Sequence, residues 1–149
     1  MTTDAAALDS VGNLARPSGE ALRVLVVDDS EAIRMFMRSK LTALAGGNYD
    51  LHVETAPSGE AAITCCATNP YDLVFMDVVM PGMGGLEACR QIKAAHALRV
   101  AMVSSLRAPE DHAAAHQAGC DNYLAKPVKD ADLSAVLRLT SLSKLTARR

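Results

Sequence analysis

The segment LRVLVVDDSEAIR, residues 22–34, contains an apolar strand, two adjacent carboxylates and the start of a helix. Residues 24–27 form a continuous apolar run, which is typical of a strand that is covered on both faces of a sheet. Asp28 and Asp29 end this run, and the residues from Ser30 onward follow a helical periodicity. This order predicts a βα unit with negative charges at the carboxyl end of its strand.

Four more apolar runs follow and alternate with segments of helical periodicity. The runs lie at residues 51–53, 73–76, 100–103 and 123–125, and the helical segments lie near residues 30–44, 58–68, 85–95, 109–118 and 130–144. This alternation predicts parallel βαβ units with helices on both faces of the sheet. The second run alternates and the fifth is short, which favours sheet edges for both. We therefore predict an α/β fold with a doubly wound, five-stranded parallel sheet in the order 2-1-3-4-5, a flavodoxin-like (βα)5 arrangement.

The first predicted helix is amphipathic. The apolar residues that share one of its faces are Ile33, Phe36, Met37, Leu41 and Leu44. This face is expected to point towards the core. Ser58, Pro109 and Asp130 are typical of helix starts, and Gly119 is typical of a helix end.

The length of 149 residues suits one domain with a buried core. We predict a flexible N-terminal tail at residues 1–20, one domain at residues 21–144 and a short C-terminal tail at residues 145–149. The four cysteines contain no CxxC pair, so neither a zinc site nor a redox pair is predicted. We expect all four to be small, buried or half-buried residues in a reducing compartment.

Charge and hydropathy disfavour several classes of function. The formal net charge is −2 and no basic run is present, so direct nucleic-acid binding is not expected. No apolar stretch approaches the roughly 18 to 20 residues that a membrane span needs, so membrane insertion is not expected. The first residues lack the basic and apolar regions of a signal peptide. A cytoplasmic location is therefore the expectation.

Polar side chains follow four of the five predicted strands. Asp28 and Asp29 follow the first strand, Asp77 the third, Ser104 the fourth and Lys126 the fifth. The carboxyl ends of parallel strands share one edge of a sheet, and ligands bind there, where the strand order reverses. Two carboxylates about 4 Å apart repel by on the order of 4 kcal/mol at an effective dielectric near 20. Three of them require a cation, and oxygen ligands with open positions suit Mg²⁺.

A bound cation favours an anionic group beside it, and a phosphoryl group fits the remaining side chains. The cation would bind one phosphoryl oxygen, Lys126 a second and the Ser104 hydroxyl a third. Asp77 is the candidate nucleophile, because carboxylates form acyl phosphates. Each residue also has a structural explanation: Asp28 or Asp29 as a helix cap, Ser104 as a loop hydroxyl, Lys126 as a surface charge. Their joint occurrence at the strand ends favours a functional site.

The sequence resembles the response-regulator receiver domain of two-component signalling, similar in extent to the single-domain chemotaxis regulator. The resemblance covers about residues 22–142 and rests on VLVVDDS, DLVFMDVVMPGMGG, MVSS and AGCDNYLAKP in this order. It implies that a sensor histidine kinase or a histidine phosphotransfer protein transfers a phosphoryl group onto Asp77. The chain would then be a signalling domain that catalyses only its own phosphotransfer and slow autodephosphorylation.

The resemblance also implies a set of metal ligands. Asp29 corresponds to a direct ligand of Mg²⁺ or Mn²⁺, and Asp28 to its neighbour that acts mainly through metal-bound water. Asp77 and the backbone carbonyl of Val79 correspond to the remaining protein ligands. One position departs from the common pattern, because the loop often reads MPxMDG and here reads MPGMGG, with Gly84 in place of the Asp. We expect a looser loop as a result.

The same resemblance implies a phosphate-binding residue and a switch. Lys126 corresponds to the lysine that binds the phosphoryl group, and the Lys126–Pro127 bond is expected to be cis. Ser104 and Tyr123 correspond to the hydroxyl and the aromatic residue of the conformational switch. The signal would leave through helix 4, strand 5 and helix 5, towards a downstream protein that the sequence does not identify. Phosphorylation-dependent homodimerisation through this surface is a further expectation.

Other functions share parts of this pattern. A nucleotide-binding enzyme would have the same fold class, but DDS follows the first strand in place of GxGxxG or GxxxxGK[ST]. A Mg²⁺-dependent aspartyl-phosphate phosphatase usually has a second Asp two residues after its nucleophile, where this chain has Val79. A phosphorelay intermediate, a receiver piece of a larger signalling system and an interaction module that is never phosphorylated are the remaining alternatives.

Overall fold

The computed structural model describes residues 21–147, which form a parallel sheet of five strands with five helices. The strands are β1 (Leu22–Val27), β2 (Leu51–Ala56), β3 (Leu73–Asp77), β4 (Arg99–Ser104) and β5 (Asn122–Ala125). The helices are α1 (Glu31–Ala45), α2 (Gly59–Thr68), α3 (Gly84–Ala95), α4 (Pro109–Gln117) and α5 (Asp130–Ala147). The strand order is β2-β1-β3-β4-β5, which confirms the predicted doubly wound sheet.

The predicted tails have different outcomes. The tail at residues 1–20 lies outside the described residues. The C-terminal tail was predicted to start at residue 145; α5 continues to Ala147, and residues 148–149 lie outside the described residues. The sequence of α5 contains neither Gly nor Pro, so no residue in it ends the helix at position 144.

The burial of each strand explains its place in the sheet. All five positions of β3 are buried, and β1 and β4 are each buried at five of six positions. These strands have a neighbour on both sides. The strand β2 alternates between half-buried and exposed positions before its last residue, and β5 has a single buried position. Both lie at the edges of the sheet, as their sequences predict.

The two faces of the sheet carry separate apolar clusters. On one face the buried residues of α2 and α3 are mostly small, namely Ala62, Cys66, Ala88, Cys89 and Ile92, and Ala115 of α4 joins them. On the other face α1 and α5 bury Met37, Leu41, Leu133, Val136 and Leu137. The sheet is therefore covered on both sides, which matches its near-continuous apolar central strands.

The apolar face predicted for α1 is only partly correct. Met37 and Leu41 are buried, and Leu44 is partly buried against the same cluster. Ile33 and Phe36, however, are 38% and 61% exposed. The first turns of α1 lie beside the strand ends, where Ile33 and Phe36 line an open groove. The periodicity of the α1 sequence does not show that its first turns extend past the carboxyl ends of the strands.

The helix starts follow their capping residues. The Ser30 hydroxyl accepts the Ile33 N–H at 3.3 Å, so Ser30 caps α1 and neither preceding aspartate does. The Ser58 hydroxyl accepts the Ala61 N–H at 3.0 Å at the start of α2. Since a serine supplies the cap of α1, the carboxylates of Asp28 and Asp29 remain available for another role.

The burial of the cysteines agrees with the sequence prediction. All four cysteines lie within residues 21–147 and are free thiols, two of them buried and two half-buried. Burial raises the pKa of the Cys66 thiol to about 11 and that of Cys89 to about 12, which keeps both in the neutral form. None of the helices within residues 21–147 is long and apolar enough to span a bilayer.

Gly85 allows α3 to pack directly on the end of β3. A Cβ atom at position 85 would lie 2.0 Å from the carbonyl oxygen of Asp77 and 2.9 Å from the Cα atom of Val78. The Gly85 N–H also donates a hydrogen bond to the Val78 carbonyl at 2.9 Å. The first turn of α3 therefore fixes the backbone immediately after Asp77.

We expect Gly85→Ala to lower the free energy of unfolding by about 1–3 kcal/mol, because the added methyl group meets backbone atoms that have no free space to move into. Urea denaturation measures the change. Gly47→Ala is the matched control, since no atom lies within 4 Å of a Cβ there. A Gly85→Ala protein as stable as the control would contradict the close packing of α3 on β3.

Candidate functional site

Three carboxylates meet at the carboxyl edge of the sheet. Asp28 and Asp29 follow β1, and Asp77 is the last residue of the neighbouring strand β3. One carboxylate oxygen from each lies within 4.8 Å of the other two. Asp28 and Asp77 are only 4% and 7% exposed, whereas Asp29 is exposed. The cluster lies where the strand order reverses, as the sequence predicts.

Lys126 places a positive charge beside two of these carboxylates. Its Nζ atom lies 3.3 Å from Oδ1 of Asp77 and 3.6 Å from Oδ2 of Asp28. Its backbone N–H donates to the Ser104 carbonyl at 3.0 Å, and the Lys126–Pro127 peptide bond is cis. Lys126 offsets one of the three negative charges, so the cluster keeps a formal excess of negative charge when all three carboxylates are ionised.

The environment of Asp77 raises the pKa of its carboxyl group. Burial is the largest cause, and the charge of Asp28 adds to it. The ammonium of Lys126 and the backbone N–H of Val79 act in the opposite direction and lower the pKa. Because the raising effects prevail, the carboxyl group of Asp77 ionises less readily than that of a free aspartate. Added positive charge at this place would favour ionisation.

The donor atoms fit a hard divalent cation. Three carboxylate oxygens lie within 4.8 Å of one another, and Mg²⁺ prefers oxygen ligands. The exposed side of the cluster at Asp29 leaves room for water ligands, which Mg²⁺ usually retains. Val79 lies two residues after Asp77 with an exposed side chain. Its backbone carbonyl as a fourth protein ligand remains a prediction.

The two adjacent aspartates have different surroundings. Oδ1 of Asp28 accepts the Ser30 N–H at 2.9 Å, and its Oδ2 faces Lys126. Arg34 from α1 donates to the backbone carbonyl of Asp28 at 2.8 Å. Asp28 is therefore held in place by protein groups, whereas Asp29 faces solvent. The direct role of Asp29 and the water-mediated role of Asp28 remain predictions.

Arg34 and Arg107 are site residues that the sequence did not reveal. Arg107 donates from the loop after β4 to the Lys126 carbonyl at 2.8 Å, just as Arg34 donates to the Asp28 carbonyl. Each arginine holds the backbone of a residue that carries a charge of the site. Arginines are common in helices and loops near strand ends. A hydrogen bond from an arginine to a backbone carbonyl leaves no pattern in the sequence by which it could be predicted.

The predicted switch residues are joined through one intermediate residue. The buried hydroxyl of Ser104 accepts the Leu106 N–H at 3.0 Å. The Tyr123 hydroxyl donates to the Leu106 carbonyl at 2.9 Å. The Tyr123 ring packs against the ring of His112 on α4, with centroids 4.0 Å apart. A movement of Ser104 would thus reach Tyr123 through Leu106, and the sequence indicated neither Leu106 nor His112 as a link.

Comparisons with known proteins give one consistent result. The family model of the response regulator receiver domain matches residues 24–138. The two-component response regulator ORR41 of Oryza sativa subsp. japonica is 39% identical over 119 residues, which are 78% of this chain and 91% of ORR41. The solved structure of the chemotaxis protein CheY4 of Vibrio cholerae aligns with a TM-score of 0.72 at 27% identity, over 81% of this chain and 99% of that one.

The relatives differ in length. The response regulator PleD of Caulobacter vibrioides is 35% identical over 126 residues, and these are 83% of this chain but only 27% of PleD. The chain therefore spans about a quarter of PleD and nearly all of ORR41. What is shared with both is the domain that contains the acidic cluster.

We expect Asp77→Asn to stabilise the metal-free protein at pH 7 by about 0.5–2 kcal/mol. The substitution removes a buried carboxyl group whose ionised form is disfavoured by burial. A carboxyl group whose pKa is higher in the folded state than in the unfolded state binds more protons when folded. Stability therefore falls as the pH rises above the ordinary value of about 3.9, and the gain from Asn should shrink towards that pH.

Urea denaturation in EDTA, at pH 7 and near the ordinary pKa of about 3.9, measures the gain in the free energy of unfolding from Asp77→Asn. Glu110→Gln on the exposed surface of α4 is the control, for which a change within about 0.5 kcal/mol is expected. A destabilised Asp77→Asn protein at pH 7, or an equal gain at both pH values, would show that burial does not disfavour the Asp77 charge.

Proposed function

The chain belongs to the response regulator receiver family, and from this membership and the acidic cluster we propose that it accepts a phosphoryl group on Asp77. Receiver domains are signalling domains, so the reaction changes the state of the protein itself. The observation that carries the proposal is the meeting of Asp28, Asp29 and Asp77 within 4.8 Å. The Nζ atom of Lys126, 3.3 Å from Asp77, supports it.

In the proposed reaction Asp77 is the nucleophile. One of its carboxylate oxygens attacks the phosphorus of a phosphohistidine on a sensor histidine kinase or a histidine phosphotransfer protein, and the imidazole nitrogen leaves. The ammonium of Lys126 is close enough to Asp77 to neutralise charge on an oxygen of the transferred group. The Ser104 hydroxyl, on the strand beside Asp77, would donate to another of these oxygens.

The reaction also needs positive charge that the protein groups do not supply. Asp28, Asp29, Asp77 and the Val79 carbonyl are the groups that would hold Mg²⁺ or Mn²⁺. When bound, the cation neutralises the carboxylates and the phosphoryl oxygens that crowd this edge of the sheet. The buried Asp28 keeps its position through Ser30 and Arg34, so it can orient metal-bound water without a large rearrangement.

The proposed switch uses the hydrogen bonds around Leu106. If the Ser104 hydroxyl turns to a phosphoryl oxygen, the Leu106 N–H loses its acceptor and the loop after β4 can move. The Leu106 carbonyl holds the Tyr123 hydroxyl, so this movement would release the ring from its present contacts. The change would then appear on the surface formed by α4, β5 and α5, where His112 packs on Tyr123.

The direct test is a reaction with acetyl phosphate followed by intact-mass measurement. We expect the wild type to gain one phosphoryl group in Mg²⁺ and none in EDTA, and we expect Asp77→Asn to gain none. Asp50→Asn is the control and should react as the wild type does. Asp50 precedes β2, at the amino-terminal ends of the strands and away from Asp77. Absence of a mass gain in the wild type would reject the function, and a gain in Asp77→Asn would reject the acceptor.

A groove next to Asp77 is a suitable surface for the phosphodonor protein. It has a volume of about 220 Å³ and its lining includes Asp77 and Lys126. Ile33 and Phe36 from the first turns of α1 also line it, and both remain partly exposed. A protein that brings phosphohistidine to Asp77 must cover this groove. We propose that its apolar side chains pack against Phe36 and Ile33.

We expect Phe36→Ala to slow phosphotransfer from a histidine kinase roughly tenfold, since truncation of a buried interface anchor costs more than about 1 kcal/mol. Phosphorylation by acetyl phosphate should not change, because this small donor needs no docking surface on α1. The measurement uses the kinase that transfers fastest among those of the source organism.

Leu142→Ala is the matched control for the docking surface. This exposed apolar residue lies on α5. It is about three turns from the start of the helix at Asp130, which is the end that lies near Lys126 in the sequence. It should leave both reactions unchanged. Equal rates for Phe36→Ala and wild type with the kinase, or equal losses with both donors, would exclude a docking role for Phe36.

A further inference from the structure

The loop that follows Asp77 leads directly into the start of α3. It includes Gly82 and Gly84, which both have a backbone φ of +81°, in the region that favours glycine. The helix α3 begins at Gly84, and no side chain caps it at Met83. The first N–H groups of a helix have no partner within the helix, so they need an acceptor from elsewhere.

Glu60 on α2 supplies this acceptor. Its Oε2 atom accepts the Met83 N–H at 3.1 Å, although the two residues are 23 positions apart. The carboxylate also lies against Gly82, since a Cβ there would be 2.8 Å from Oε2 and 3.3 Å from Oε1. A residue with a side chain at position 82 would disturb this approach. The glycine at position 82 thus allows Glu60 to reach Met83.

The start of α2 itself packs against the same loop. A Cβ at Gly59 would lie 3.1 Å from the Gly84 carbonyl oxygen and 3.7 Å from the Met83 side chain. Glu60 is the acidic residue in the first turn of α2, where it also interacts favourably with the helix dipole. The dipole explains a carboxylate at this turn, but it does not explain the bond to Met83 on another element.

We propose that Glu60 is a positioning residue, which caps the start of α3 from the neighbouring helix and holds the loop after Asp77 in the geometry that binds the cation. The loop contains Val79, whose carbonyl is the proposed metal ligand. The N-cap residue Met83 supplies no side-chain cap for α3, and the Glu60 carboxylate binds its N–H group instead. This inference rests on the proposed function for its connection to the metal.

The experiment compares Glu60→Ala, Glu60→Gln and Glu110→Ala by calorimetric titration with Mg²⁺. Glu60→Ala removes the acceptor and should weaken Mg²⁺ binding roughly threefold to tenfold, as the loss of one hydrogen bond that supports a site does. Glu60→Gln keeps an oxygen acceptor and should stay within about twofold of the wild type. Glu110→Ala removes an exposed first-turn carboxylate from α4 and should have no effect.

Hydrogen–deuterium exchange in EDTA gives a second measurement that does not depend on the metal. Glu60→Ala should raise the exchange of residues 78–84 and leave the strands unchanged, whereas a general loss of stability would raise exchange throughout the sheet. If the wild type binds no Mg²⁺, the proposed function fails, but the exchange still shows whether Glu60 holds the loop.

Three results would overturn the inference. The first is a wild-type Mg²⁺ affinity in Glu60→Ala, whatever the loop exchange, because Glu60 would then have no role towards the cation. The second is an equal loss in Glu60→Gln, which would assign the effect to charge and not to the hydrogen bond. The third is an equal loss in Glu110→Ala, which would assign it to the helix-terminal charges in general.

Discussion

Repulsion among three carboxylates at one edge of the sheet is the constraint on which the rest of the structure depends. Asp28 and Asp77 are almost fully buried at the ends of neighbouring strands, and Asp29 lies beside them. Lys126 offsets part of the charge, and burial still raises the pKa of Asp77. The apolar strands β1 and β3 hold these groups together against their repulsion. A bound cation would relieve it, because it would add positive charge where the three carboxylates meet.

The carboxylates and the lysine are useful only if their backbone is held still, and charged side chains from neighbouring segments do this. Arg34 binds the Asp28 carbonyl, Arg107 binds the Lys126 carbonyl and Glu60 binds the Met83 N–H. Gly85 adds a steric limit, because α3 touches the Asp77 carbonyl with no side chain between them. Chemistry of this kind needs groups placed within a fraction of an ångström, which the loops that carry them do not ensure alone.

Much of this arrangement follows from local sequence. Apolar runs such as residues 24–27 predict central strands, because a strand covered on both faces needs an apolar residue at nearly every position. The alternating run at residues 51–53 predicts an edge for the same reason. Since all parallel strands end at one edge, the residues that follow them, from Asp28 to Lys126, are predicted to meet before any coordinates are known.

The sequence by itself thus determined the class of fold, the strand order and the set of charged residues at the carboxyl ends of the strands, because periodicity and strand-end polarity are local signals. Only the tertiary structure decided which apolar residues of α1 stay exposed, how Ser104 reaches Tyr123 through Leu106, and that Glu60 caps a helix other than its own. These features depend on where one element stops relative to another. Their partners come from different elements, and the distances between those elements are set by helix packing on the sheet, which leaves no periodic pattern in the chain.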